Sequence, residues 1–591
     1  MQFLHNGEHP GKASMMFLPM IDMDPNNADC INSTLYYICN HASKYQSCPI
    51  VTFDQPLYQK AVMIINNEPD ESILKNVVVK MGGLHTIMSY LGSIGYIMSN
   101  SGLEEALETV YAKNSIQHMM SGKIIYRAIR GHFLVDAVLN GILLSRELGH
   151  PLDSLMEGGG LDDEDPSHSL YTDLHLIYQK MMETQDMKEL EQSELPDKIQ
   201  KMIEAQKNSL QDSRTAKLWI SYMQMIDILK RYLKAERLGD WNLHLQATAD
   251  MLPYFAASGH NNYLKSSYIY LQQMYELPNS HPSVHHNFSK GLFVVRRSNR
   301  QWAGIPMDQI IEQCLMRNLK TSGGLTHGGG FSEIERHVWT LSMPTCVALH
   351  QSMQELTSTN RRNREQNQEM GPSRISRDWK DTKDIATFFD GRDPFAYGPV
   401  LCNIANGVNA HPAVNVENAK ILGDDIVQKM VGHEVTSFSF KRKDQAITLA
   451  SKGSLKVDGE SIQVDTQLLF QRLVLAAKTN LENALEYELC TVPKALFEAP
   501  ELLHEAQKST LADAIWTMTG KKDGNVGKDV LYVLDGGALL HRLPWIRGRS
   551  FASILQSYLD YVVSHYGQAT VVFDGYEGNG RMGVSVVFLP A

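Results

Sequence analysis

The sequence predicts an α/β protein, enlarged by a long helical stretch, and two observations carry that class. First, apolar β-branched runs alternate with stretches of helical length: CPIVTF then QPLYQKAVMII, and ILKNVVVKMGGLH then TIMSYLGSIGYIM. That order yields strands joined by helical crossovers, with at least part of the sheet buried. Second, 591 residues with 43% hydrophobic and 20% charged side chains suffice for several cores and are too apolar for a disordered chain.

Taken in order, residues 1–150 form the first part of the core with its helices. Residues 151–214 turn acidic and polar, as in MEGGGLDDEDPSHS, and read as a solvated linker or helical excursion. Residues 215–360 resume with apolar helices and then hold a strand-like GLFVVRRS, a helix-like MDQIIEQCLMRNLK and the loop SGGLTHGGG. That loop could cradle phosphate through backbone N–H groups, but it lacks the spacing of a nucleotide-binding P-loop. An Arg-rich linker over 361–395 precedes a second α/β region, 396–520, with EVTSFSF and GESIQVD as strands and QLLFQRLVLAAKTNLENALEYEL and ELLHEAQKSTLADAIWTM as helices. Residues 526–591 close the chain as strand, helix, strand: KDVLYVLDGGALLH, FASILQSYLDYVVSHYG, ATVVFDGY.

A net charge of −11 means that any nucleic-acid contact must come from local basic patches. The sharpest is VVRRSNRQW, where Arg296, Arg297 and Arg300 sit near Trp302; such residues can contact phosphates and stack on bases, or simply form a solvated loop. The seven cysteines are scattered without a C-x-x-C pair, which points to a reducing compartment and no zinc knuckle. The N-terminus has no signal-peptide pattern and no stretch approaches the apolar length of a membrane span. The expectation is an intracellular protein, nuclear or cytoplasmic, with no membrane partner; protein partners are not legible.

Two acids and a histidine lead the chemistry. Asp54 and His85 follow the first two strands, and the carboxyl ends of strands are where α/β proteins gather ligand groups. A carboxylate there can hold Mg²⁺; equally, Asp54 can cap the following helix and His85 can be a satisfied partner at a tight Gly turn. Here the order of residues resembles a known family. FDQPLYQKA, then a strand, then GGLH is similar to the RNase H-like core of Mutator-like and related transposases. AERLGDWNLHL, MLPYFAASGHNNY, GLFVVRRSNRQWAGIPMDQIIEQ and KTSGGLTHGGG resemble blocks of transposon-derived proteins of animal genomes.

The resemblance, over roughly residues 15–350, implies an RNase H-like core interrupted by a helical insertion at about 97–300. It implies Asp54 and Glu312 as catalytic metal carboxylates for Mg²⁺ or Mn²⁺, His85 as an auxiliary polar group, and DNA as the partner. The family also carries an earlier catalytic Asp on a strand, whereas Asp22, Asp24 and Asp29 lie in no β run. The first catalytic strand is therefore expected to be missing or degenerate, which removes a carboxylate that two-metal chemistry needs to hold ions about 3.5–4 Å apart. Asp240 is an alternative third acid or a helix-junction cap.

At the C-terminus, LYVLDGG and VVFDGY end strands in Asp535 and Asp574 and resemble PIN-like nucleases of the flap-endonuclease type. In those enzymes such acids bind Mg²⁺ or Mn²⁺; an incomplete PIN-like unit is implied, since the family needs further acids and a basic segment. Asp-Gly pairs also make ordinary turns. Three functions follow: a degenerate strand-cleaving transposase, a PIN-like nuclease, and a non-enzymatic scaffold.

Overall fold

The computed structural model describes chiefly residues 27–150, 193–298, 301–312 and 371–450, strand segments within 453–464 and 497–503, and 531–588 apart from 544–548 and 578–580. The chain divides into two compact units, Met1–Leu489 and Cys490–Ala591. It is mostly helical with a few short strands.

The first unit is built around a short parallel sheet. Helix α1 (Ala28–Ala42) precedes β1 (Ile50–Phe53), α2 (Gln55–Asn67), β2 (Val78–Met81) and α3 (Gly83–Ile97), so the sequence alternation is realised. β1 and β2 pair in parallel, Phe53 opposite Met81. Helix α2 starts where it does because the Asp54 side chain accepts the Leu57 N–H and Pro56 pre-sets the first turn. Every β2 residue is buried, Lys80 included. Two described strands do not by themselves define an RNase H-like sheet.

The expected insertion is helical: α4 (Leu103–Glu108), α5 (Lys113–Met120), α6 (Ile125–Leu148), α7 (Leu195–Ser209), α8 (Arg214–Leu238), α9 (Trp241–Ser258), α10 (Asn261–Ser280) and α11 (Pro282–Ser289). Helix α8 ends at Gly239 with φ 80°, a left-handed turn that favours glycine. Asp240 then caps α9, accepting the Leu243 N–H at 3.0 Å; it is a junction cap rather than a third acid. One hydrophobic core runs from β1 and β2 through α3 and α6 into α8, α9 and α10, with Tyr90, Trp219, Tyr254, Phe255 and Tyr270 inside it. Contrary to the sequence reading, one described helix, α6 with its 24 residues, is long and apolar enough to cross a bilayer. Seven of its apolar residues, Ala128, Leu134, Val135, Val138, Leu139, Ile142 and Leu143, are buried in the common core.

The strands β3 (Val295–Arg296) and β4 (Gly304–Ile305) form a short antiparallel pair that delivers the chain to α12 (Met307–Ile310). Helix α13 (Pro372–Phe389) lies on α6, tied by Arg130, which bonds to Asp378, Asp381 and the Tyr111 hydroxyl. Helix α14 (Ala419–Met430) lies on α9 so closely that a side chain at Gly423 would overlap the backbone of Pro253. The region from 396 thus packs on the helical body, and the unit boundary falls at 489/490. EVTSFSF forms no strand in its described residues; Phe438 and Phe440 instead meet edge to face. The aromatic alternation of that segment serves packing, not a ladder. GESIQVD does contain a strand, β6 (Glu460–Val464), paired with β5 (Gly453–Val457).

In the second unit, β7 (Phe497–Ala499) pairs with β8 (Leu502–Leu503), where a helix was expected to begin. Then β9 (Tyr532–Asp535), α15 (Gly536–Arg542), α16 (Phe551–Tyr566), β10 (Ala569–Glu577) and β11 (Arg581–Phe588) form a sheet in the order β11-β10-β9. β9 and β10 are parallel and β11 is antiparallel. Leu539, Tyr558, Val562, Ala569 and Val571 form its core. Three strands of this kind do not by themselves define a PIN-like fold.

Candidate functional site

Parallel pairing of β1 with β2 brings Asp54 and the Gly82–Gly83 junction to the same edge, and the Gly82 N–H bonds to the Phe53 carbonyl at 2.7 Å. Helix α3 begins there, and its own Gly82 cap has no side chain to offer the exposed N–H groups. Asp308, from α12, supplies the missing acceptor. Its Oδ1 takes the Leu84 N–H at 3.0 Å, and its Oδ2 takes the His85 N–H at 3.2 Å and lies 3.1 Å from His85 Nδ1. A carboxylate at a helix N-terminus is favoured by both the free donors and the helix dipole. Gly82 is a glycine for room, not for backbone freedom, since a Cβ on it would overlap the Asp308 carboxylate.

Both partners are electrostatically tuned. Asp308 is 5% exposed. Burial works to raise its pKa, but the bonds from His85 and Leu84, helped by Lys80, outweigh it and hold the carboxyl below its ordinary range. His85 is raised chiefly by its hydrogen bond to Asp308, against burial, with further help from the charges of Asp308, Asp54 and Glu312. Glu312, half-buried and one turn beyond Asp308, is thus within electrostatic reach of His85, and so is Asp54. Tyr263 is pushed up first by burial and then by the charges of Asp54 and Asp308. The expected Asp54 and Glu312 therefore lie within electrostatic reach of the expected His85, whose direct partner, Asp308, sequence reasoning missed.

The arrangement is a His–Asp pair with two further carboxylates in electrostatic reach, not a built metal cage. Among the described residues no three His, Cys, Asp or Glu side chains are disposed to hold a metal ion. Asp54 already serves as a helix cap, and both oxygens of Asp308 are engaged by α3. As it stands, the geometry does not fit a two-metal site. What it offers is a protonatable imidazole oriented by a carboxylate, the form a general acid takes.

Behind this site lies a second buried polar cluster that the sequence reading passed over. Lys80 in β2, Glu236 in α8 and His244 in α9 are each at most 1% exposed. Glu236 Oε1 stands 2.9 Å from His244 Nδ1, and His244 Nε2 is 3.0 Å from the Tyr270 hydroxyl. The one available signal was a lysine inside the otherwise apolar run VVVKM.

The other expected residues fare differently. Arg296 is 2% exposed, its backbone carbonyl bonded to the Ala13 N–H, and burial lowers its pKa. It is a core residue and not part of an open phosphate-binding surface. Arg297 and Trp302 are half-buried, and Arg300 lies outside the described residues, as do SGGLTHGGG and the helical segment expected after Glu312. Asp535 is exposed and caps α15 through the Ala538 N–H. It stands opposite Val572 in the parallel pair, two residues short of Asp574, whose side chain lies outside the described set. The described cysteines Cys30, Cys39, Cys48 and Cys402 are free thiols.

Fold and site together define a largely helical protein with a short parallel sheet that carries a His–Asp pair at its carboxyl edge. The chain belongs to the family described as Domain of unknown function (DUF8702), whose model matches residues 1–488 and so coincides with the first compact unit. No curated protein and no solved structure matches it.

Proposed function

We propose that this is a transposon-derived protein whose ancestral activity is metal-dependent cleavage or transfer of nucleic-acid strands, with Asp54, His85 and Glu312 as the remnant of its site. One observation carries the reading. A segment more than 220 residues downstream returns Asp308 and Glu312 to the edge where Asp54 and His85 follow adjacent parallel strands. In this reading DNA is the partner, Mg²⁺ or Mn²⁺ the cofactor, and the nucleus or cytoplasm the location. A protonated His85 held by Asp308 would donate to the departing oxygen of a phosphodiester, a contribution of roughly 10²–10⁴ in rate.

The test is cleavage of single- and double-stranded DNA by the purified chain with Mg²⁺ or Mn²⁺. Cleavage that is lost in Asp54→Ala and Glu312→Ala supports the reading. The absence both of cleavage and of any Mg²⁺ or DNA binding that Asp54→Ala or Glu312→Ala weakens would sink it in favour of a non-enzymatic scaffold. That second reading draws support from the capping bonds made by Asp54 and Asp308, which need no chemistry to explain them. For the second unit, the parallel β9–β10 pair supports a PIN-like nuclease reading with Asp535 and Asp574 as metal ligands; nuclease activity that survives Asp54→Ala but not Asp535→Ala would select it.

A further inference from the structure

The Lys80 ammonium is 0% exposed and finds no hydrogen-bond partner among the described residues. It lies 5.6 Å from the ring centroid of Phe293, and the same ring lies 5.1 Å from that of His244. Both carboxylate oxygens of Glu236 are equally buried. Glu236 Oε1 lies 2.9 Å from His244 Nδ1 without the direction of a hydrogen bond, and burial lowers the His244 pKa against the pull of that carboxylate, so the contact is not an ion pair. Lys80 lies within electrostatic reach of His244 and of Asp308, and Glu236 borders Gly83, where a Cβ would come within 3.2 Å of Glu236 Oε1 and of the Tyr232 hydroxyl.

An ammonium and a carboxylate closed off from solvent without hydrogen bonds would each cost several kcal/mol, and nearly all buried polar groups in folded proteins are satisfied. The cation–π contact with Phe293 does not use the three N–H donors of Lys80. A bridging water needs two to four polar partners and a polar enclosure. Lys80 supplies donors, Glu236 acceptors, and His244 Nδ1 either role.

We propose that Lys80, Glu236 and His244 enclose a permanent hydration site in which ordered water bridges the ammonium to the carboxylate. The bridge locks β2, α8 and α9 together directly behind the Gly82–Gly83 turn. It acts as a positioning element for the turn that holds His85 and Asp308, whatever chemistry those residues perform, and does not depend on the nuclease reading.

The decisive experiment is a crystal structure of the full chain at a resolution that orders buried water. The expected result is water within about 2.7–3.2 Å of both Lys80 Nζ and a Glu236 oxygen. Direct contact between Nζ and the carboxylate, with no water between them, overturns the proposal. A double-mutant cycle gives an independent reading. Lys80→Met and Glu236→Met should each lower the folding equilibrium constant on the order of a hundredfold or more, because each leaves an uncompensated buried charge. The double variant should recover most of that loss, while simple additivity overturns the coupling. If a single variant does not fold, the wild-type density still decides.

Discussion

At the scale of single residues, Asp308 is the most informative position. Asp308→Asn keeps the shape but removes the charge that receives three bonds from α3, and should cost about 1–3 kcal/mol. It should also return the His85 pKa toward its ordinary 6.5, measurable by NMR titration of the imidazole. The sign of the pH dependence follows from the two shifts. Asp308 is lowered from 3.8, so its contribution is present above that value and is lost as pH falls through its lower folded pKa. His85 is raised from 6.5, so its contribution is complete below that value and is lost as pH rises through its higher folded pKa. The stability advantage of wild type over Asp308→Asn should therefore peak between 3.8 and 6.5 and decline on both sides, which thermal melts across pH would check. Gly82→Ala should lower stability by about 1–3 kcal/mol through overpacking against Asp308, and a Gly82→Ala chain that melts with wild type would contradict the tight junction. Asp54 and His85 were legible because a β-branched run and a Gly pair mark strand ends locally. Asp308 was not, since its partners lie 223 and 224 residues away and no spacing rule spans that distance. Arg296 misled for a different reason: a basic cluster near a tryptophan reads the same whether it is solvated or, like Arg296, buried.

At the scale of elements, the two βα units were read correctly because alternation of β-branched runs with helical stretches is local information. The segment EVTSFSF shows the limit, for alternating aromatics can pack edge to face in an irregular segment as well as in a strand. The α6–α13 contact rests on a polar clasp that no sequence window contains. Arg130 reaches across it to Asp378 at 2.7 Å and to Asp381, and is held from behind by the Tyr111 hydroxyl at 3.0 Å; these ion pairs and hydrogen bonds outweigh burial to hold its pKa above the ordinary value. Arg130→Met should cost about 1–3 kcal/mol and raise hydrogen exchange selectively in Pro372–Phe389. Exchange that rises uniformly, or not at all, would mean the apolar contacts of Ile385 and Phe389 hold α13 without it.

At the scale of the whole molecule, the family match and the division into compact units agree within one residue, 488 against 489. Calorimetry of the full chain should accordingly resolve two transitions, and a chain ending at Leu489 should keep the first; one transition for the full chain would show that the units melt cooperatively. The α3 cap has a consequence for synthesis. Helix α3 emerges from the ribosome with its N–H groups unpaired, and its acceptor is 223 residues behind. At about 5–20 residues per second, that is roughly 11–45 s during which the carboxyl edge of the sheet exists without its closing contact. The nascent chain must hold α1 to α11 in a partly assembled state until Asp308 arrives, so the edge that carries Asp54 and His85 is the last part of this sheet to be completed.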